Sequence, residues 1–139
     1  MRRGVTAVAA ASAALGAAFL SSLSAATPAP FLRSAAPHRG HVVAVFTLGS
    51  DLAADRIAVA VRPKTGLTGA FLKANVRLSE SVRPTRVPSG YRFRTRHALR
   101  AGRYYVQVSG IALGVDCLPA KPCRESWSNV RRVIIPKRS

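Results

Sequence analysis

Acidic side chains are scarce in this sequence: five Asp and Glu stand against 22 Lys and Arg, a formal net charge of +17 over 139 residues. So few carboxylates leave little material for an oriented acid–base pair. Lysine is nearly missing as well, present only at Lys64, Lys73, Lys121 and Lys137, so arginine carries the positive charge. Two origins fit such a chain equally: a GC-rich coding sequence, or an anionic partner such as a cell-wall polymer, an acidic polysaccharide, a membrane surface or nucleic acid. Neither speaks to the fold. Catalytic signatures are also missing, since no G-x-S-x-G, HExxH or P-loop pattern accompanies the three histidines, His38, His41 and His97. The chain reads as non-enzymatic, with no catalytic residue, cofactor or metal. Beyond the N-terminal segment there is no long 3.6-residue periodicity, no internal repeat and no sign of a second domain.

Residues 1–26 read as a signal peptide. Arg2 and Arg3 form a short basic region, no charged residue follows until Arg33, and the apolar stretch from residue 5 to 20 is mostly alanine. The small residues Ser24, Ala25 and Ala26 suit a cleavage site. The competing reading is a retained anchor, because residues 4–23 are long enough to span a bilayer. Alanine's weak membrane affinity and the cleavage site favour removal. The expected location is therefore secreted or cell-envelope associated, with membrane contact only through an uncleaved signal. What remains is long enough for one domain with a modest core.

Only two cysteines occur, Cys117 and Cys123, enclosing LPAKP. In an exported chain they are expected to pair, and closing so short a loop removes about 2 kcal/mol of denatured-state entropy in the chain-entropy model. A lone C-x5-C pair without a nearby histidine is a poor zinc site.

The mature region carries the period-2 pattern of strands. Tyr104, Val106 and Val108 alternate with Tyr105, Gln107 and Ser109 in a strand expected to be half-buried, and Val130, Val133 and Ile135 mark another after the cysteine loop. Val42, Ala44, Phe46 and Leu48 form the first clear strand, with a turn at 49–55. Ile57, Val59 and Val61 follow, then residues 71–81, with Leu72, Ala74, Val76 and Leu78 on one face. Residues 83–90, bearing Pro84, Pro88 and Gly90, read as a connection. Tyr91, Phe93 and Thr95 alternate with Arg92, Arg94 and Arg96. Residues 27–40 contain three prolines and read as a linker or an irregular edge strand. Six or seven short strands with regular turns argue for one all-β antiparallel sandwich over residues 41–139.

From about His41 to Pro136 the chain resembles a fibronectin type III domain, in the form seen in small exported bacterial proteins. The likeness rests on V-x-A-x-F at 42–46, on L-x-x-G-x-Y-Y-V-x-V at 99–108, and on WSN followed by a final strand at 127–135. It implies an immunoglobulin-like antiparallel β-sandwich acting as a binding or spacer module. It also implies a tyrosine corner, in which the Tyr104 hydroxyl bonds back to the chain near Leu99. The corner spacing is one residue short, Ala101 stands where proline is common, and the first strand is hard to find. A family of this kind transfers no catalytic residue, and its fold hosts many unrelated roles.

The best functional lead is the alternating row Arg92, Arg94 and Arg96, spaced roughly 7 Å apart along one side of a strand. Such a row can fork-bond phosphates, sulfates or carboxylates on an extended polymer, and the bland alternative is a solvated face. Export and the lack of interleaved aromatics disfavour nucleic acid. The expected partner is an anionic envelope or extracellular polymer, or a protein. Trp127 is either a binding anchor or a plug for the core. A second functional reading is a loop-presenting protein ligand or inhibitor that displays residues 116–124. Two ion sites are conceivable. Asp51, Asp55, Asp116 and Glu125 fall in loops that share one pole in such a sandwich, where calcium or salt bridges to Arg56, Lys121 and Arg124 would hold them. His38, His41 and His97 could approach one another as metal ligands, or remain separate surface side chains.

Overall fold

The computed structural model describes residues 29–64, 69–113 and 125–137. The expected signal peptide, the Cys117–Cys123 pair and Asp116 lie outside them. Nine strands are present: β1 Phe31–His38, β2 His41–Thr47, β3 Leu52–Ala60, β4 Val76–Ser81, β5 Thr85–Val87, β6 Gly90–Arg94, β7 Gly102–Ala112, β8 Glu125–Trp127 and β9 Arg131–Ile135. They form two antiparallel sheets, the first in the order β1-β2-β6-β5 and the second β4-β3-β7, with β8 and β9 both on the far side of β7. Pairing β2 with β6 and β3 with β7 interleaves the sheets along the chain, as Greek-key connections do.

Alternation explains why the sheets pack face to face. Val42, Ala44 and Phe46 of β2 and Leu32 of β1 point inward from one sheet, and Ile57, Val59, Leu78, Val106, Val108, Val133 and Ile135 from the other. All of these side chains belong to one buried cluster, which gives a sandwich-like, all-β arrangement. The Phe46 ring stacks on Tyr91 at 6.0 Å between centroids. Gly90 is obligatory where β6 starts, because a Cβ there would fall 2.4 Å from the Phe46 carbonyl oxygen, at φ +134°.

Residues 31–38, read as a linker or an irregular edge strand, form the edge strand β1. Its register slips between Leu32 and Ser34, and the main chain at the slip is held by a side chain instead of a ladder. The Leu32 N–H donates to Asn129 Oδ1 at 2.8 Å, while Asn129 Nδ2 and Arg131 Nε each donate to the Leu32 carbonyl at 3.0 Å. WSN therefore ends in a residue that ties the first strand to the last.

Several local expectations are corrected. The turn assigned to 49–55 is shorter, since β3 starts at Leu52, and a bulge between Ala54 and Ile57 scrambles the alternation that would have revealed it. Residues 71–81 are not one strand. Lys73–Asn75 makes a 3-10 turn closed by Asn75 N–H on the Leu72 carbonyl, so Leu72 and Ala74 are exposed, while Phe71 and Leu78 are buried. The connection at 83–90 contains β5, a three-residue strand bracketed by Pro84 and Pro88 and folded back on β6. β7 is buried on both faces: Gln107 and Ser109 are 2% and 0% exposed. The cause is a second small cluster on the outer side of this sheet, where Phe71 packs on Ala58 and Ala60, with Val76, Tyr105, Trp127 and Val130 around them. Val130 thus serves the outer cluster, and only Val133 and Ile135 face the main core.

Candidate anion-binding face

The two buried clusters of the described residues lie between the sheets and on the outer side of the second sheet, so neither lies on the outer side of the first. There Arg92 and Arg94 are exposed and Tyr91 and Phe93 pack toward the core. Register sets their neighbours: Arg92 lies opposite Val45 on β2 and Thr85 on β5, and Arg94 lies opposite Val43. Directly paired side chains on one sheet face sit roughly 5 Å apart at Cβ, so the arginine stems flank half-buried valines and their guanidinium forks stand clear. No carboxylate from β1, β2, β5 or β6 shares this face, because those strands contain none.

Arg96 does not complete the row. β6 ends at Arg94 and the chain bends at Thr95, whose side chain is buried as a bracket: Oγ1 accepts the Val42 N–H at 3.0 Å and donates to the His97 carbonyl at 3.1 Å. Past that bend Arg96 turns toward Glu80 of β4. Its backbone N–H donates to Glu80 Oε1 at 2.7 Å, and its Nε lies 3.8 Å from the same oxygen. His97 N–H and Nδ1 both donate to Glu80 Oε2 at 3.0 Å. The expected three-arginine row is therefore a pair on β6 plus Arg96 past the strand end, whose backbone N–H holds Glu80 while its side chain stays largely exposed.

Glu80 was not singled out by sequence reasoning, although Leu78, Glu80 and Val82 alternate and so share one inward register. A carboxylate in such a register needs donors brought to it, and the 95–97 bend supplies them. Burial pushes its pKa up. The Arg96 N–H, the His97 ring, the His97 N–H and the His97 charge outweigh that and hold it below the ordinary glutamate value.

The remaining candidates are dispersed. His41 Nδ1 donates to the Thr95 carbonyl at 2.8 Å, His97 belongs to Glu80, and His38 faces His41 only across the hairpin register. No group of three or more His, Cys, Asp or Glu among the described residues is placed to hold a metal ion. Asp51 sits in an exposed turn, Asp55 lies within β3, and Glu125 opens β8. Among the described residues the ion pairs are those of Glu80, so the expected bridge from this acidic group to Arg56 is not formed. Trp127 is half-buried against the outer cluster and lines a groove of about 510 Å³ with Phe71, Arg56, Lys73, Arg77 and Glu125. The Tyr104 hydroxyl donates to the Arg100 carbonyl at 2.8 Å, next to Leu99. No helix among the described residues is long and apolar enough to cross a membrane. No protein-family model matches the chain, and no similar curated protein was found for it.

Proposed function

We propose that this chain is an exported, non-enzymatic binding or spacer module of fibronectin type III type, which contacts an anionic envelope or extracellular polymer through the Arg92 and Arg94 face. The interleaved pairing of two antiparallel sheets and the Tyr104 hydroxyl bonded back across the corner support the family assignment. The observation that carries the binding reading is the outer face of the first sheet, whose strands contain no acid and which presents two exposed arginines two residues apart. The other sheet's outer face also bears arginines, Arg103 and Arg132 among them, but Phe71 and Trp127 cover part of it. Two guanidinium groups roughly 7 Å apart along a flat strand match successive anionic groups on an extended chain better than they match one compact ligand.

The test is retention on a sulfated polysaccharide matrix. R92S/R94S should elute at clearly lower salt than R83S/R103S, which removes the same charge from exposed positions elsewhere. Equal elution would reduce the attraction to net charge and defeat the proposal.

A further inference from the structure

A second cationic feature lies at one pole of the sandwich, away from the Arg92 and Arg94 face. It is a pocket of about 580 Å³ between the β1–β2 turn, the segment 98–101 and the chain after β9, and it is lined by Arg39, Arg100 and Lys137 above Pro37, Leu99 and Ile135. That volume falls within the range of small-ligand pockets. None of the three cations has a carboxylate partner among the described residues.

The walls are fixed by the main chain. The turn between β1 and β2 places Arg39 at φ +51° and Gly40 at φ +84°, the paired left-handed conformation of a tight I′ hairpin. The Leu99 N–H donates to the Gly40 carbonyl at 2.8 Å, and a Cβ on Gly40 would stand 3.2 Å from the Ala98 Cβ, so turn and segment are in close contact. The Arg100 carbonyl is held by the Tyr104 hydroxyl at 2.8 Å. Pairing of Gly102 with Ile135 sets the third wall. Arg39, Arg100 and Lys137 thus line one pocket from three separately anchored segments, and none is ion-paired to an acid among the described residues.

We infer that this pocket binds a doubly charged tetrahedral oxyanion, a phosphate monoester, carried on a small organic body that rests on Pro37, Leu99 and Ile135. A dianion offsets three cations lining one pocket better than a carboxylate does, and its oxygens suit bidentate arginine contacts. The apolar floor gives the ester's organic part a surface that a bare inorganic ion cannot use. The inference does not depend on the polymer-binding face.

Amide-resolved NMR titration of the folded protein at constant ionic strength tests it, with phenyl phosphate, phenyl sulfate, inorganic phosphate and acetate as probes. Phenyl phosphate should shift the Gly40, Leu99 and Ala101 amides saturably and more tightly than inorganic phosphate or the singly charged phenyl sulfate, with acetate weakest. R39N/R100Q should weaken that binding about tenfold or more, K137Q by less, since arginine forks make the paired contacts. Asn is chosen at position 39 because it tolerates a positive φ. R92S/R94S should leave the titration unchanged while altering polymer retention. Non-saturating drift, phenyl sulfate or acetate binding equal to phenyl phosphate, or R39N/R100Q with a native spectrum and undiminished affinity would each overturn the proposal.

Discussion

Replacing Glu80 by Gln tests whether one buried carboxylate fastens the bend after β6 to β4. The side chain is almost fully buried, and its two oxygens accept the N–H groups of Arg96 and His97 as well as the His97 ring. Gln is nearly isosteric but has only one acceptor, so one N–H of the bend would face an amide donor instead of an oxygen. Hydrogen bonds to a charged group are worth about 1.5–3 kcal/mol, and an unsatisfied partly buried donor adds to the loss. The Arg96 and His97 side chains are largely exposed, which discounts their ion pairing to little. Regaining the burial cost of the charge offsets part of the rest. The net expectation is a destabilisation of about 2 kcal/mol at pH 7, or roughly 8 °C in melting temperature for a domain of this size. The pH dependence carries a sign. Because the folded-state pKa lies below the unfolded one, the stabilisation is complete above the ordinary glutamate value near 4.5 and is lost as pH falls through the folded-state pKa. Chemical denaturation of the wild type and E80Q should therefore differ by a constant amount from pH 7 to pH 5 and converge in more acidic solution. A difference under about 0.5 kcal/mol at neutral pH, or one that persists undiminished at pH 3, would refute the clamp.

Tyr104→Phe removes the hydroxyl bonded to the Arg100 carbonyl and should cost about 1 kcal/mol, while Tyr105→Phe, on the outer face, costs less; denaturation midpoints that reverse this order would contradict the assigned corner. Mass spectrometry of exported protein alkylated without reduction should find no modified thiol at Cys117 or Cys123, and two alkylated cysteines would remove both the bridge and the compartment argument.

Much of the strand content was legible because β2, β6 and β9 alternate with a two-residue period, and the core-facing Tyr104, Val106 and Val108 of β7 keep the same spacing. Tyr91, Phe93 and Thr95 face inward where the pattern placed them. What escaped the sequence arose where alternation breaks or where tertiary cover intervenes. The bulge between Ala54 and Ile57 hid the start of β3, and the 3-10 turn at Lys73–Asn75 reset the phase before β4. β5 and β8 are three residues each, too short to carry a period. The burial of Gln107 came from a partner distant in sequence: its Nε2 donates to the Gly69 and Ser128 carbonyls, and both belong to the cover over the second sheet. The pole pocket was likewise invisible, since Arg39, Arg100 and Lys137 are neighbours only once three segments meet.

The fate of Arg96 shows how a charge pattern and a binding face can differ. Arg92, Arg94 and Arg96 are equivalent in spacing, and a strand two residues longer would have aligned all three. The chain leaves the ladder at Thr95 because that side chain bonds both Val42 and His97, and the bend it makes delivers two backbone donors to Glu80. Arg96 is thereby carried off the strand, and its backbone N–H serves the buried acid. Glu125 lies on the second sheet, Asp51 lies in the turn before β3, and Asp55 lies within β3, so none competes for the two exposed forks. What sets Arg92 and Arg94 apart is that they stand two residues apart on one strand, on a sheet whose strands carry no acid. An extended polyanion can exploit that arrangement, whereas a chain that merely carries many arginines need not have it.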